Sequence, residues 1–497
     1  MKVVFVNPSY YGTWVKVTPI TKELGFHVAG QVPPLGLLYI STYLNQEGVE
    51  STVFDNDALR YPVDRVIRWL KKEDPDIVGF SVTCAKLESG HDTHQIAQKY
   101  KEENPNSIII YGGPLPTLAP KKILEKHTFV DYVIRGEGEY ATLDLVRAIK
   151  KGTGTEDIKG LCYRKNGNII VKKPYPFIRD LDSLPFPDRR LLRNVKYEMN
   201  LDLEAFTLKL SLGKLTTLIT SRGCPFNCKF CYTATTSKGN WRWRSAENVV
   251  EEMDFLDSEG YRTVYVPDDN FTANRKRALK ICELMKKHRL DIKWTTELLP
   301  KSFDRNLAKK LHRSGCEAIF MGIESASQRI LNYYQKPITP SECIRAVKNA
   351  RRAGFAYIVG SFMMGAPIET EDEMCATAKY IQNIDIDMPL ISPTSAMYED
   401  GLWNEMKAQG IITNKIEEKL WDRSFPVCEI HPNVDKGVVY EVIEDAYLKF
   451  LAEPQRIMKA VYRHLFTNRF RRQIVTMNLP KLPSIVRMAV RIKAKND

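Results

Sequence analysis

The amino-acid sequence predicts an α/β protein: a doubly wound parallel sheet in the N-terminal part, a partial (βα)6 barrel after it, and a helical C-terminal region. Three observations carry this. Short apolar strand-like segments alternate with amphipathic ones to about residue 175, the alternation resumes at Leu215, and from about Thr394 helical patterns with large aromatics take over. At 497 residues the chain exceeds one ordinary core, which predicts two or three domains.

In the first expected domain, residues 1–176, candidate strands are 3–7, 51–54, 77–82, 108–112 and 132–135, with helical patterns at 37–47, 63–72, 92–102 and 140–151. Residues 177–214 read as a linker, because Asp180, Asp182, Pro185, Pro187 and Asp188 interrupt any regular pattern. The expected barrel, 215–394, has strand-like segments at 217–220, 263–267, 292–296, 318–323, 357–363 and 390–392, with helices such as 246–258 and 275–288 between them. Residues 395–497 form the expected helical region, ending in a basic amphipathic tail.

Hydrophobic residues at 43% and charged ones at 27% are those of a folded protein and exclude a disordered chain. No apolar run approaches the roughly 18 residues of a membrane-spanning helix, and the N-terminal residues lack a signal-peptide pattern. The expected location is therefore the cytoplasm. Ten cysteines there are expected to be metal ligands, catalytic groups or buried thiols rather than a disulfide framework.

The densest chemical signal is Arg222-Gly223-Cys224-Pro225-Phe226-Asn227-Cys228-Lys229-Phe230-Cys231-Tyr232. Three cysteines, spaced four and then three apart, lie on a glycine- and proline-opened loop directly after a strand. The next cysteine, Cys282, lies in a helical pattern, so the set stops at three. Structural zinc and four-cysteine iron–sulfur sites both need a fourth ligand, whereas three thiolates on a four-iron cluster leave one iron open. The bland alternative, three unrelated buried thiols, does not account for the spacing, the Gly and Pro, and the aromatic Phe230.

Cys-x3-Cys-x2-Cys with Phe230 before the third cysteine resembles the signature of the radical S-adenosylmethionine (radical SAM) enzymes. The resemblance implies a [4Fe–4S] cluster on Cys224, Cys228 and Cys231, whose open iron chelates S-adenosylmethionine, and a reducing electron donor as partner. One-electron cleavage of the sulfonium would then release a 5′-deoxyadenosyl radical.

Glycines and small polar residues collect after the strands of the first domain, at Ser81, Thr83, Gly112, Gly113, Thr117 and Gly136. Ligands of doubly wound sheets sit at these strand ends. Singly each is an ordinary βα turn; counted with Asn7-Pro8-Ser9 after the first strand, four such clusters at successive strand ends make a ligand crevice. Together with Pro33-Pro34-Leu35-Gly36-Leu37 they resemble the cobalamin-binding domain found before many radical SAM domains, which implies that these residues line the corrin and its tail. The chain departs from the Asp-x-His-x-x-Gly pattern of cobalt-ligating relatives: the corresponding loop is Asp55-Asn56-Asp57-Ala58-Leu59-Arg60, without histidine. His91 and His94 read as surface or capping residues.

In a βα barrel, functional residues belong at the C-terminal strand ends. There stand Asp268, Asp269 and Asn270, then Glu324 and Ser325, then the stretch from Gly360 through Gly365 to Glu369. By resemblance Glu324 and Ser325 match the segment contacting ribose or methionine, and Gly365 the glycine near adenine. Asp268, Asp269 and Asn270 match a strand end that usually carries Gly-Gly-Glu, which they do not reproduce.

The net charge is +13, and from Gln455 onward eleven basic residues face Asp497 alone. Such an end is suited to a lipid headgroup layer, which places the chain at the inner face of the membrane and tilts the substrate guess toward a lipid. Nucleic acid is disfavoured, since aromatics do not interleave with the last basic residues. The family resemblance implies a cobalamin-dependent radical SAM methyltransferase acting on an unactivated carbon of a lipid-like or other small molecule. Alternatives are a non-methylating coupling or cyclising enzyme, a nucleic-acid modifying enzyme, and a cobalamin or redox sensor without turnover.

Overall fold

The computed structural model describes residues 1–8, 32–83, 89–192, 195–197, 200–203, 206–209, 212–301, 303–422, 427–429, 431–463, 470 and 473. The chain divides into two compact units. The first holds the described residues of Met1–Thr13, Pro33–Lys196 and Met397–Cys428, the second those of Tyr197–Ala396 and Glu429–Asp497. The segment read as one C-terminal helical region is thus shared between them.

The first unit alternates β1 (Lys2–Asn7), α1 (Leu35–Gln46), β2 (Glu50–Asp55), α2 (Val63–Glu73), β3 (Ile77–Ser81), α3 (Ser89–Glu103), β4 (Ile108–Gly112), α4 (Pro120–Lys126), β5 (Tyr132–Ile134) and α5 (Gly138–Lys151). Its sheet runs β2-β1-β3-β4-β5, all parallel, so the order reverses between β1 and β3. At such a switch point the flanking loops part and leave a crevice beyond the strand ends. The strands are covered on both faces, and so Val3, Val4, Val6, Ile77, Val78, Ile109 and Ile110 are all buried. Each such side chain contributes about 1.5–3 kcal/mol by leaving water.

Two antiparallel strands unforeseen in the sequence, β6 (Leu161–Lys165) and β7 (Asn168–Val171), extend this sheet. Asn166 and Gly167 turn between them with φ of 50° and 76°, the left-handed pair a tight hairpin needs. Inside the expected linker, Asn200–Leu203 and Phe206–Lys209 also pair antiparallel.

The second unit contains β8 (Lys214–Thr217), α6 (Ala246–Ser258), β9 (Tyr261–Val266), α7 (Arg275–His288), β10 (Lys293–Leu298), α8 (Arg305–Arg313), β11 (Cys316–Glu324), α9 (Pro340–Ala353), β12 (Tyr357–Met364), α10 (Glu371–Asn383) and β13 (Met388–Pro393). Six parallel strands follow one another in chain order, β8 to β13, the sheet of a partial (βα)6 barrel. Every anticipated barrel strand is present, although β8 ends at Thr217 rather than Thr220. Helices α9 and α10 each begin on a capping box, Thr339 with Glu342 and Thr370 with Glu373, which satisfies the first free amides.

Among the described residues, no helix is long and apolar enough to cross a membrane. Most of the basic tail, including Ile485 to Lys495, lies outside the described residues. Two of its arginines are committed to the second unit. Arg456 donates to the carbonyls of Ile386 at 2.9 Å and Gln382 at 2.7 Å, and Arg463 pairs with Asp385 at 2.8 Å.

Candidate functional site

The cysteine loop leaves the top of β8 through a short strand, Ser221–Arg222, which pairs with Arg242–Trp243. Gly223 has φ +83°, and a Cβ there would stand 2.3 Å from the Asn240 carbonyl oxygen, so only glycine makes this turn. Cys224, Cys228 and Cys231 are half-buried on one loop. Cys231 closes onto Cys228 by an amide–carbonyl bond of 3.0 Å and precedes the helical turn Tyr232–Ser237.

Burial pushes all three thiols up, that of Cys228 to about 11, and Cys224 and Cys231 both act on it. Iron would bind these three as thiolates, its positive charge offsetting the burial that holds the free thiols protonated. Among the described residues no three His, Cys, Asp or Glu side chains converge on a single-ion position. A cluster asks for something else, because each thiolate takes a different iron. Loop, spacing and donor chemistry fit a [4Fe–4S] group.

A second segment clasps this loop. The Lys229 amide donates to the Tyr334 carbonyl at 2.9 Å, the Phe230 ring meets that of Tyr334 edge-on at 5.0 Å, and the Lys229 ammonium lies 3.9 Å from the Tyr333 ring centre. Lys336, two residues on, forms a buried ion pair with Glu324 at 2.8 Å. Burial alone would pull the Lys336 ammonium down, but Glu324, with Cys228 and Cys231 adding to it, holds it above its usual value. Glu324 sits at φ +65°, a left-handed conformation that costs a residue with a side chain about 1–2 kcal/mol. A Cβ at Gly322 would fall 2.6 Å from the Lys336 nitrogen, so that glycine makes the room for the pair.

The other anticipated barrel residues divide into groups. Asp268, fully buried, accepts from the Thr220 amide at 2.7 Å, from the Ser221 hydroxyl at 2.6 Å and from the Thr220 hydroxyl, at the root of the cysteine loop. Asp269 faces the loop itself. It accepts from the Thr233 hydroxyl at 2.7 Å, keeps one side toward solvent, and is otherwise crowded so that burial, with Asp268 nearby, pushes its carboxyl up. Asn270 is buried and accepts from the Thr272 hydroxyl at 3.2 Å.

Ser325 turns toward α10, its hydroxyl 3.3 Å from that of Thr377. Gly365, at φ +81°, is held on both sides: its amide donates to Glu369 at 2.7 Å and its carbonyl accepts from His431 Nδ1 at 2.7 Å. Because a carbonyl only accepts, Nδ1 carries the proton. Burial pushes the Glu369 carboxyl up to about 7 and pulls His431 down.

At the strand ends of the first unit the anticipated residues come together through Thr117. Its hydroxyl donates to the Gly113 carbonyl at 2.8 Å and accepts from the Gly136 amide at 3.0 Å, tying the ends of β4 and β5. Gly113 (φ +101°) and Gly136 (φ +79°) both need glycine, while a Cβ on Gly112 would meet only the Ile134 carbonyl, at 4.0 Å. Ser81 ends β3 and Thr83 lies two residues beyond it, the Val82 amide between them donating to the Gly112 carbonyl at 2.8 Å. Both glycines are demanded by the unit's own chain: a Cβ on Gly113 would meet the Val82 carbonyl at 2.9 Å and one on Gly136 the Pro174 side chain at 3.2 Å. Asp55, in the loop without histidine, accepts from Asn7 Nδ2 at 2.7 Å. His94 is not on the surface: it is buried, with Nδ1 2.9 Å from the Tyr111 hydroxyl and its ring stacked 3.9 Å from that of His127.

Sequence reasoning missed Lys336, Tyr334, His431 and the pair in which Tyr265 donates to Glu297. Tyr265 and Glu297 were findable as polar residues at alternate positions of β9 and β10. Tyr334, Lys336 and His431 lie outside every strand, and only the fold brings them in.

Residues 218–381 match the Radical SAM superfamily and residues 22–146 the B12 binding domain. An uncharacterized methyltransferase of Pyrococcus horikoshii is 33% identical over 90% of this chain and 94% of its own length. The anaerobic magnesium-protoporphyrin IX monomethyl ester cyclase of Cereibacter sphaeroides is 27% identical over 75% of this chain and 58% of its own. Among solved structures, the radical S-adenosylmethionine methyltransferase TsrM from Kitasatospora setae, with cobalamin and a [4Fe–4S] cluster bound, superposes with a TM-score of 0.65. It covers 82% of this chain and 75% of that one at 18% identity, a likeness of fold. With a doubly wound parallel sheet, a three-cysteine loop atop a partial barrel, both family matches and a relative matched nearly end to end, the chain belongs to the cobalamin-dependent radical SAM enzymes, which use a [4Fe–4S] cluster, S-adenosylmethionine and cobalamin.

Proposed function

We propose that this enzyme is a methyltransferase acting on an unactivated carbon of a small molecule. The observation that carries the reading is the methyltransferase relative at 33% identity, aligned over 94% of its length. When bound, the cluster and S-adenosylmethionine would supply one-electron radical chemistry and cobalamin would supply methyl transfer. The chain's own residues position and shield. Cys224, Cys228 and Cys231 hold the cluster, and Asp268 fixes the root of their loop. Asp269, Asn270, Glu324, Ser325 and Gly365 are the adenosyl-side residues, with Phe230 against the clasp. Ser81, Thr83, Gly112, Gly113, Thr117 and Gly136 form the corrin side.

The test is anaerobic purification with cobalamin supplied, reduction, and mass analysis of S-adenosylmethionine products. Bound cobalt with both 5′-deoxyadenosine and S-adenosylhomocysteine supports methyl transfer; bound iron and 5′-deoxyadenosine without cobalt refutes it. The cyclase relative favours a second reading, ring closure or coupling, distinguished by a product lighter by hydrogen rather than heavier by a methyl group. A lipid substrate met at the membrane is supported by the basic tail alone. Since Arg456 and Arg463 are engaged by the second unit, the informative truncation is after Arg463. Unchanged binding of the truncated chain to anionic vesicles removes the lipid reading.

A further inference from the structure

We infer that Lys336, paired with Glu324, sets the reduction potential of the cluster held by the cysteine loop. The inference rests on the family assignment and adds a role that the sequence motif does not contain.

The placement is built rather than incidental. The clasp of Tyr333 and Tyr334 fixes the segment against Lys229 and Phe230, and Lys336 follows, its ammonium 5.8 Å from the ring centre of Phe230, the residue that stands between Cys228 and Cys231. The Lys336 side chain retains 10% of its exposure and that of Glu324 6%, so solvent screens neither well. Gly322 has no side chain where the pair lies, and Glu324 adopts a left-handed backbone to reach it. A surface ion pair needs none of this.

The reduction potential of an iron–sulfur cluster depends on the charges around it. One electron from an external low-potential one-electron reductant adds one negative charge at the cluster, with no bond made or broken. A buried cation beside the thiolates favours that added charge; a buried anion opposes it. The two partners therefore act with opposite signs, whereas damage to the fold would move both variants alike.

The test is an EPR-monitored redox titration of the reconstituted full chain with dithionite and mediators, on wild type, Lys336→Met, Lys336→Arg and Glu324→Gln, with iron counted in each. The expected result for Lys336→Met is a midpoint lowered by about a tenfold change in the reduced-to-oxidised ratio, which is 59 mV for one electron. Lys336→Arg stays at the wild-type value, and Glu324→Gln moves to higher potential. Should Lys336→Met fail to hold iron, the sign for Glu324→Gln decides: a rise supports the inference and no shift overturns it. Variants that carry full iron and stay at the wild-type midpoint, or shift in the same direction, overturn the role of Lys336. A wild type with no cluster signal overturns the cluster assignment itself, a separate failure.

Discussion

Asp268 tests whether an acidic strand end in this barrel serves the ligand or the loop. Its fully buried carboxylate takes three protein donors, the Thr220 amide, the Thr220 hydroxyl and the Ser221 hydroxyl. Hydrogen bonds to a charged group contribute about 1.5–3 kcal/mol each. Asp268→Ala removes all three and leaves a buried amide and two hydroxyls to find water, so after relaxation the variant is expected to lose about 3–5 kcal/mol. The loss falls where β8 hands over to the cysteine loop, so iron retention should drop with it. The assay is guanidinium unfolding of the anaerobically purified variant, iron content, and S-adenosylmethionine binding by equilibrium dialysis. A variant with wild-type stability and full iron that has lost only S-adenosylmethionine binding would refute the positioning role.

Gly223→Ala sets a Cβ against the Asn240 carbonyl in a left-handed turn, and less than half the wild-type iron is expected by colorimetric assay. Cys228→Ala should abolish 5′-deoxyadenosine formation, read by mass spectrometry; normal formation would overturn the cluster ligands. Gly365→Ala would force His431 aside, since the new Cβ falls 2.5 Å from its Nδ1. A several-fold weaker S-adenosylmethionine affinity, measured by dialysis, is expected. Glu369 ionises near 7 in the folded chain against its ordinary 4.5. The folded state thus keeps a proton that the unfolded chain has released, so this group's contribution to stability falls as pH rises between those values and levels off above 7. Glu369→Gln should flatten that part of the slope in denaturation midpoints measured from pH 5 to 8.

Much of the architecture is legible because both sheets announce themselves by period. Parallel strands covered on two faces read as short apolar runs, such as Ile77–Ser81 and Ile108–Gly112, and the helices between them carry caps the sequence spells out at Thr339 and Thr370. The β6–β7 hairpin has its own signal in Asn166-Gly167, a turn pair that stands outside the alternation of strands and helices. The cysteine loop is visible because its ligands are neighbours in sequence. Lys336 is not, since its partner Glu324 stands at the end of β11 and Lys336 beyond the following helix, and nothing local marks either as buried. Asp268 was seen but not its use: a side chain at a strand end has two directions available, and sequence does not say whether it faces the mouth or its neighbour's backbone.

The single hydroxyl of Thr117 reaches two chain segments at once, giving to one glycine peptide and receiving from another. The ends of β4 and β5 are therefore one mechanical part, and neither loop can shift without breaking a bond to the other. Arg135 Nε adds a second tie between the same two ends by donating to the Thr117 carbonyl at 3.0 Å. Replacing Thr117 by valine keeps the shape but cuts both hydroxyl bonds, leaving the two ends joined only by the Arg135 bond to the residue 117 carbonyl and by the β4–β5 ladder.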